Sequence, residues 1–243
     1  MSKVIAVVSG KGGVGKSTVT VGLGRALSEN GKRVLLVDCD AGLRCLDKLT
    51  GIAESLVYDI LDAIEGKCAV NEAVYNAEGY ESLFVLPASM GDVIPENLLT
   101  PFIEKIKEYY DYVIMDSPAG LGEGFISAVK PSDTVLVVCN SDPISAASAN
   151  IVREVTDKFG VKEKRLIINR FNSDYFRKLK AASDLDSIID ITGLRLLGLV
   201  PEDPSLISQF LKGDKIKGKS ETMMALRRIA SRLQGNYIPF PFV

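Results

Sequence analysis

Ten residues constrain this chain more than any other stretch: Ser9 to Thr18 reads SGKGGVGKST. Gly10, Gly15, Lys16 and Ser17 satisfy the spacing G-x-x-x-x-G-K-[ST]. The stretch follows the apolar run Val4 to Val8 and precedes a helix-like segment, the context a phosphate-binding loop needs. With glycine near 7% of average composition, such a match arises by chance on the order of once per hundred chains of this length. A plain flexible glycine turn is therefore a poor account. Gly12, Gly13 and Gly15, with Val14 between them, let the backbone curl with its N–H groups inward, and Thr18 carries the chain into the helix. Lys16 is then placed to reach phosphate oxygens, and the Ser17 hydroxyl to meet Mg2+. Lys11 is surplus to cradling phosphate, and alone it would read as a solvated loop cation.

The segments after the loop predict a three-layer α/β fold with a mostly parallel sheet of about seven or eight strands and helices on both faces. Val19 to Asn30 has helical periodicity closed by Gly31, and Val34 to Val37 is an apolar run ending in Asp38. This strand, helix, strand unit forces parallel pairing. Apolar runs recur at Leu83 to Leu86, Val113 to Met115, Val135 to Val138, Leu166 to Ile168 and Leu196 to Val200, without polar alternation, as strands buried on both faces require. Helices are expected at Glu96 to Tyr109, Ile144 to Phe159, Leu185 to Thr192, Leu206 to Lys212 and Glu221 to Gln234. Asn71 to Gly79 and Asn172 to Ser183 have no clear pattern. Residues 1–243 read as one domain.

The formal charge of −2 supplies no basic field, so direct DNA binding is not expected beyond a local patch. Cys39, Cys45, Cys68 and Cys139 form no C-x-x-C pair and the chain has no histidine, so they read as reduced and structural. The chain enters a strand at once, and no apolar run approaches about 18 residues, which predicts a cytoplasmic protein. Ligands of open parallel sheets bind beyond the carboxyl ends of the strands. Asp38, Asp40 and Asp116 fall there, and a carboxylate after an apolar strand is how such proteins address Mg2+ through its water shell. A turn-forming aspartate is the plainer reading, and the phosphate loop argues against it at Asp116. Asn169 and Arg170, after a later strand, are equally well loop caps.

The loop KGGVGKST resembles the deviant Walker A motif of the MinD/ParA family of ATPases, and VLLVDCDAGLRCLD, DSPAG, VLPAS and LLGLVPED extend the resemblance, MinD-like in character, over nearly the whole chain. It implies a slow, partner-stimulated, Mg2+-dependent ATPase acting as an ATP-dependent homodimer. Lys11 would cross the dimer interface to the partner's nucleotide and Lys16 would contact the phosphates. Asp40 would orient the attacking water. Ser17 would bind Mg2+ directly, and Asp38 and Asp116 through water. Gly120 would offer an N–H near the γ-phosphate, while Asn169, Arg170, Pro201, Glu202 and Asp203 would surround adenine. The expected role is regulating cell division or another spatially organised bacterial assembly, through a protein activator or effector of unknown identity. A ParA-like DNA partition or flagellar-number regulator, and a nucleotide module with little turnover, stay open as alternatives.

Two stretches depart from the family pattern. Where MinD carries an Arg-Asp-x-Asp-Arg stretch that helps form its partner surface, this chain reads ISAASANIV from Ile144. MinD ends in a basic amphipathic helix that enters the membrane surface, whereas this sequence ends GNYIPFPFV, with Pro239 and Pro241. The tail for peripheral membrane attachment is thus expected to be missing. The stripe Leu226, Ile229 and Leu233 reads as a core-docking helix in preference to an interfacial one. Phe240 and Phe242 are candidate partner contacts, and the lysines 212, 215, 217 and 219 read first as a solvated loop.

Overall fold

The structure, a computed structural model, describes residues 2–41, 43–172, 185–211 and 220–240. The cluster Lys212, Lys215, Lys217 and Lys219, most of the segment from Asn172 to Ser183, and Pro241 and Phe242 lie outside the described residues.

Seven parallel strands carry the apolar runs: β1 (Lys3–Val8), β2 (Val34–Asp38), β4 (Leu83–Leu86), β5 (Tyr112–Asp116), β6 (Thr134–Asn140), β7 (Glu163–Phe171) and β8 (Arg195–Pro201). An eighth, β3 (Tyr75–Asn76), pairs antiparallel to β4. The order is β3-β4-β2-β5-β1-β6-β7-β8. The β1 strand therefore lies between β5 and β6, and its carboxyl end opens at the middle of the sheet. Alternate β1 residues serve the two faces: Ile5 and Val7 join one core cluster, Ala6 and Val8 another.

Helices α1 (Lys16–Glu29) and α10 (Glu221–Leu233) cover the first face. The other face is covered by α5 (Glu96–Ile106), α6 (Glu123–Val129), α7 (Pro143–Lys158) and α8 (Leu185–Thr192). Helix α9 (Pro204–Leu211) follows β8. The stripe of α10 is core: Leu226 and Ile229 are fully buried and Leu233 nearly so. Gly22 of α1 makes that packing possible, because a Cβ there would sit 2.4 Å from Leu226 Cδ1. The rim of α10 is tied down by Arg227 to Glu29 at 2.8 Å. Arg232 donates to the carbonyls of Leu197, Ile238 and Pro239 and stacks on Phe240 at 4.0 Å, so Phe240 has a partner within the chain.

Differences from the expected elements are local. The strand β3 is two residues long and gives no period to read. Short helices α2 (Cys45–Leu49), α3 (Ile60–Ile64), α4 (Val70–Ala73) and α6 complete fewer than two or about two turns, too little for a 3.6-residue pattern to emerge. The helix expected through Tyr109 ends at Ile106 and tightens into a 3₁₀ turn over Lys107–Tyr109. No helix among the described residues is long and apolar enough to cross a membrane.

Candidate functional site

The loop after β1 is locked from below. Gly15 precedes α1 at φ 88°, a left-handed conformation that costs a side chain about 1–2 kcal/mol. A Cβ there would also lie 2.3 Å from Nδ2 of Asn169, which with Arg170 lies within β7 and not in a loop after it. That amide nitrogen donates to the Val14 carbonyl at 2.7 Å, so strand β7 holds the curl of the loop. Ser9 Oγ donates to the Lys11 carbonyl at 3.0 Å and shapes its first half. Lys11 itself is exposed, whereas Lys16, in the first turn of α1, is 8% exposed.

Asp40 and Asp116 lie within electrostatic reach of this lysine, and Asp38 stands beside Asp116 on the neighbouring strand. Asp38 and Asp116 are register partners on β2 and β5, each 1% exposed. Burial first, and then repulsion from Asp116, push the Asp38 carboxyl up to about 8. Its two oxygens accept from the backbone N–H groups of Asp40 at 2.9 Å and Leu46 at 3.3 Å, which fixes the segment from Asp40 into α2. Burial likewise raises Asp116, opposed by Lys16 and the hydroxyls of Ser17 and Thr20. Asp40 is raised by burial and pulled back by Lys16. Arg44, in that segment, has φ 45° and pairs with the buried Asp47 at 2.7 Å.

A recess of about 410 Å3 over the loop is lined by Gly12 through Thr18 together with Asp40, Cys45 and Arg170. A second, of about 150 Å3, is lined by Gly15, Thr18, Asn169, Arg170, Pro201, Glu202 and Asp203, so Arg170 borders both. Of the sequence-expected residues, Gly12 to Thr18, Asp40, Asn169, Arg170 and Pro201 to Asp203 line these two recesses, whereas Gly10, Lys11, Asp38, Asp116 and Gly120 line neither. The Asp203 carboxylate accepts from Ser205 and Ser220, the residues that begin α9 and precede α10, and is a structural cap. Gly120, at φ 89°, donates its N–H to the Ser9 carbonyl at 3.2 Å.

The donor set suits a hard divalent cation. Ser17 and the carboxylates are oxygen donors, and Asp116 Oδ2 is buried and accepts no well-formed hydrogen bond among the described residues. An ammonium at the N-terminus of a 14-residue helix with no acidic residue in its first turn suits polyphosphate. Two interior residues went unnoticed in the sequence. Thr20 Oγ1 lies 3.0 Å from Asp116 Oδ1, and its helical spacing from Lys16 was the available signal. Arg25 is fully buried, donates from Nη2 to the Leu49 carbonyl of α2 at 3.0 Å and stacks on Phe210. A polar residue on the apolar face of α1 was its signal.

A family model described as an AAA domain matches residues 2–167. The septum site-determining protein MinD of Bacillus subtilis is 34% identical over 247 residues, covering 98% of this chain and 91% of that protein. The MinC:MinD cell division protein complex of Aquifex aeolicus contains a chain that superposes with TM-score 0.91 at 36% identity, covering 99% of both. MinD of Pyrococcus horikoshii complexed with Mg-ADP superposes at 0.84 with 28% identity, covering 96% of each chain. With identity above 30% over nearly its whole length and a fold superposing along 99% of the chain, the chain belongs to the MinD-like branch of the MinD/ParA family of P-loop ATPases.

Proposed function

We propose that this chain is an ATP-binding and ATP-hydrolysing switch that dimerises with ATP bound and acts in placing the cell-division site. One observation carries the reading: a buried Lys16 at the phosphate loop acts on Asp40 and Asp116, with Asp38 in register beside Asp116, next to an exposed Lys11 with no ion pair among the described residues. The Mg-ADP complex of the Pyrococcus relative supports an adenine nucleotide and Mg2+ here, and the MinC:MinD complex supports a protein partner of MinC type.

In this reading residues 1–243 act as one ATPase domain. The amides of the loop from Gly10 to Thr18 hold the phosphates, and Lys16 spans them. Ser17 would hold Mg2+ directly, and Asp38 and Asp116 would act through its water shell. When bound, Mg2+ would supply neutralisation of phosphate charge. Asp40 orients the attacking water. Lys11 of one protomer adds a cation to the other's site, as an arginine finger does. The second recess takes the base, with Arg170 at the junction and the backbone of Pro201, Glu202 and Asp203 as the hydrogen-bonding edge. The Gly120 N–H becomes available to a γ-phosphate only as its bond to Ser9 loosens, which makes the segment around Gly120 responsive to that phosphate. The protein works slowly until its partner stimulates it, in the cytoplasm or peripherally at the inner face of the membrane.

Phosphate release measured with ATP and GTP, for the wild type and Lys16→Ala, tests the assignment. Turnover with ATP, weak competition by GTP and loss of both binding and turnover in the variant are expected. Equal use of GTP, or wild-type turnover by Lys16→Ala, would count against it.

A further inference from the structure

Thr20 stands one helical turn after Lys16 and three residues after Ser17, on the face of α1 that packs against β5. It is fully buried. Its hydroxyl oxygen lies 3.1 Å from the Lys16 carbonyl and 3.0 Å from Asp116 Oδ1. The first contact is the ordinary back-bond of a helical threonine and would satisfy the hydroxyl alone. The second reaches across 96 residues of sequence to a strand-end carboxylate. A hydroxyl has one proton to give, and an ionised carboxylate is the stronger acceptor of the two. The β-branch of threonine restricts χ1, so the hydroxyl is held in place.

The two oxygens of Asp116 are treated differently. Oδ1 is held by Thr20, whereas Oδ2 is buried and accepts no well-formed hydrogen bond among the described residues, with the Ser17 hydroxyl close enough to the carboxylate to favour its charged form. We propose that Thr20 is a positioning residue for metal binding: by holding Oδ1 it fixes the rotation of the Asp116 carboxylate and presents Oδ2 to the water shell of the cation that Ser17 binds. The inference rests on the reading of this site as an Mg2+-nucleotide site. Thr20 touches neither nucleotide nor metal in it, and phosphate binding through the loop does not depend on it.

The test is the affinity of a fluorescent ADP analogue for the full chain, measured in EDTA and across an Mg2+ titration. The proteins are the wild type, Thr20→Val, Thr20→Ser and Thr20→Ala. Valine keeps the shape and removes the hydroxyl, serine keeps the hydroxyl, and alanine leaves no branch to overpack, so the comparison does not depend on how valine fits. Thermal unfolding of each variant is recorded beside it. A hydrogen bond to a charged group of this kind sets the expected scale at about tenfold or more. Thr20→Val and Thr20→Ala should raise the Mg2+ midpoint by that factor, keep ADP affinity in EDTA within about twofold of wild type, and differ from Thr20→Ser, which should restore the midpoint. An unchanged midpoint in both hydroxyl-free variants would overturn the proposal, and so would equal weakening with and without Mg2+, which marks general damage to the loop. A wild type whose ADP affinity ignores Mg2+ would instead overturn the metal-site reading, and the role of Thr20 with it.

Discussion

Asp38→Asn should make the metal-free protein less sensitive to alkali, and the sign of its effect should change with pH. Burial and the neighbouring Asp116 push Asp38 up to about 8 from an ordinary value of 3.8. The folded state therefore holds this proton more tightly than the unfolded chain does. Its contribution to stability is full below the unfolded value and is lost as pH rises through the folded one. Linkage caps the slope at about 1.4 kcal/mol per pH unit for one proton, so a rise from about pH 5.5 to 7.5 costs at most about 3 kcal/mol. Relaxation around the charge brings this to about 1–2 kcal/mol. Asparagine does not titrate. It keeps one acceptor for the Asp40 N–H and gives up the longer bond from Leu46 at 3.3 Å, a loss of about 1 kcal/mol. The variant should thus equal or fall about 1 kcal/mol below wild type near pH 5.5, and exceed it by about 1 kcal/mol near pH 8. Asp116, shifted in the same direction, remains, so the slope should shrink without vanishing. Urea unfolding in EDTA at three pH values measures this. Parallel stability profiles for the two proteins, or a wild type that gains stability from pH 5.5 to 8, would show that Asp38 does not hold its proton more tightly in the folded state.

Gly15→Ala combines a left-handed backbone with a Cβ 2.3 Å from Asn169 Nδ2. It should cost about 2–4 kcal/mol of stability and at least tenfold in nucleotide affinity, read by urea unfolding and fluorescent-ADP titration. Leu226→Ala empties a fully buried position between α10 and α1 and should cost about 2–5 kcal/mol in urea unfolding. Arg25→Met keeps the apolar stem against Phe210 and Tyr80 and removes a buried cation. It should leave stability within about 2 kcal/mol of wild type or raise it, while Arg25→Ala should lose about 2–4 kcal/mol. If both variants lose equally, the guanidinium's bond to Leu49 matters more than packing.

The legible parts of the sequence were those set by short-range patterns. The phosphate loop is ten consecutive residues, and Asp38 and Asp116 are readable because each ends an apolar strand, which fixes the edge of the sheet where they emerge. That they sit in register was not readable, since the order placing β2 beside β5 is a property of the whole sheet. The stripe of α10 illustrates a different limit. Leu226, Ile229 and Leu233 would suit a membrane surface as well as a core, and only the contact with Gly22 and β8 decides between them. Asp203, expected at adenine by resemblance, does line the second recess, and the use of its carboxylate at two helix starts is a further contact that no short-range pattern shows. Thr20 and Arg25 resemble ordinary helix residues until a strand and a second helix are packed against them. The hydrogen bond from Gly120 to Ser9 joins two loops over a hundred residues apart in sequence, beyond any local pattern.

The central claim is that ATP joins two copies through Lys11. Sedimentation velocity of the wild type and Lys11→Ala, each with ATP, ADP and no nucleotide, tests it most directly. The wild type should be a dimer with ATP alone, and Lys11→Ala a monomer in all three conditions while it still binds nucleotide. A dimer that forms equally with ADP, or one that survives in Lys11→Ala with ATP, would contradict it.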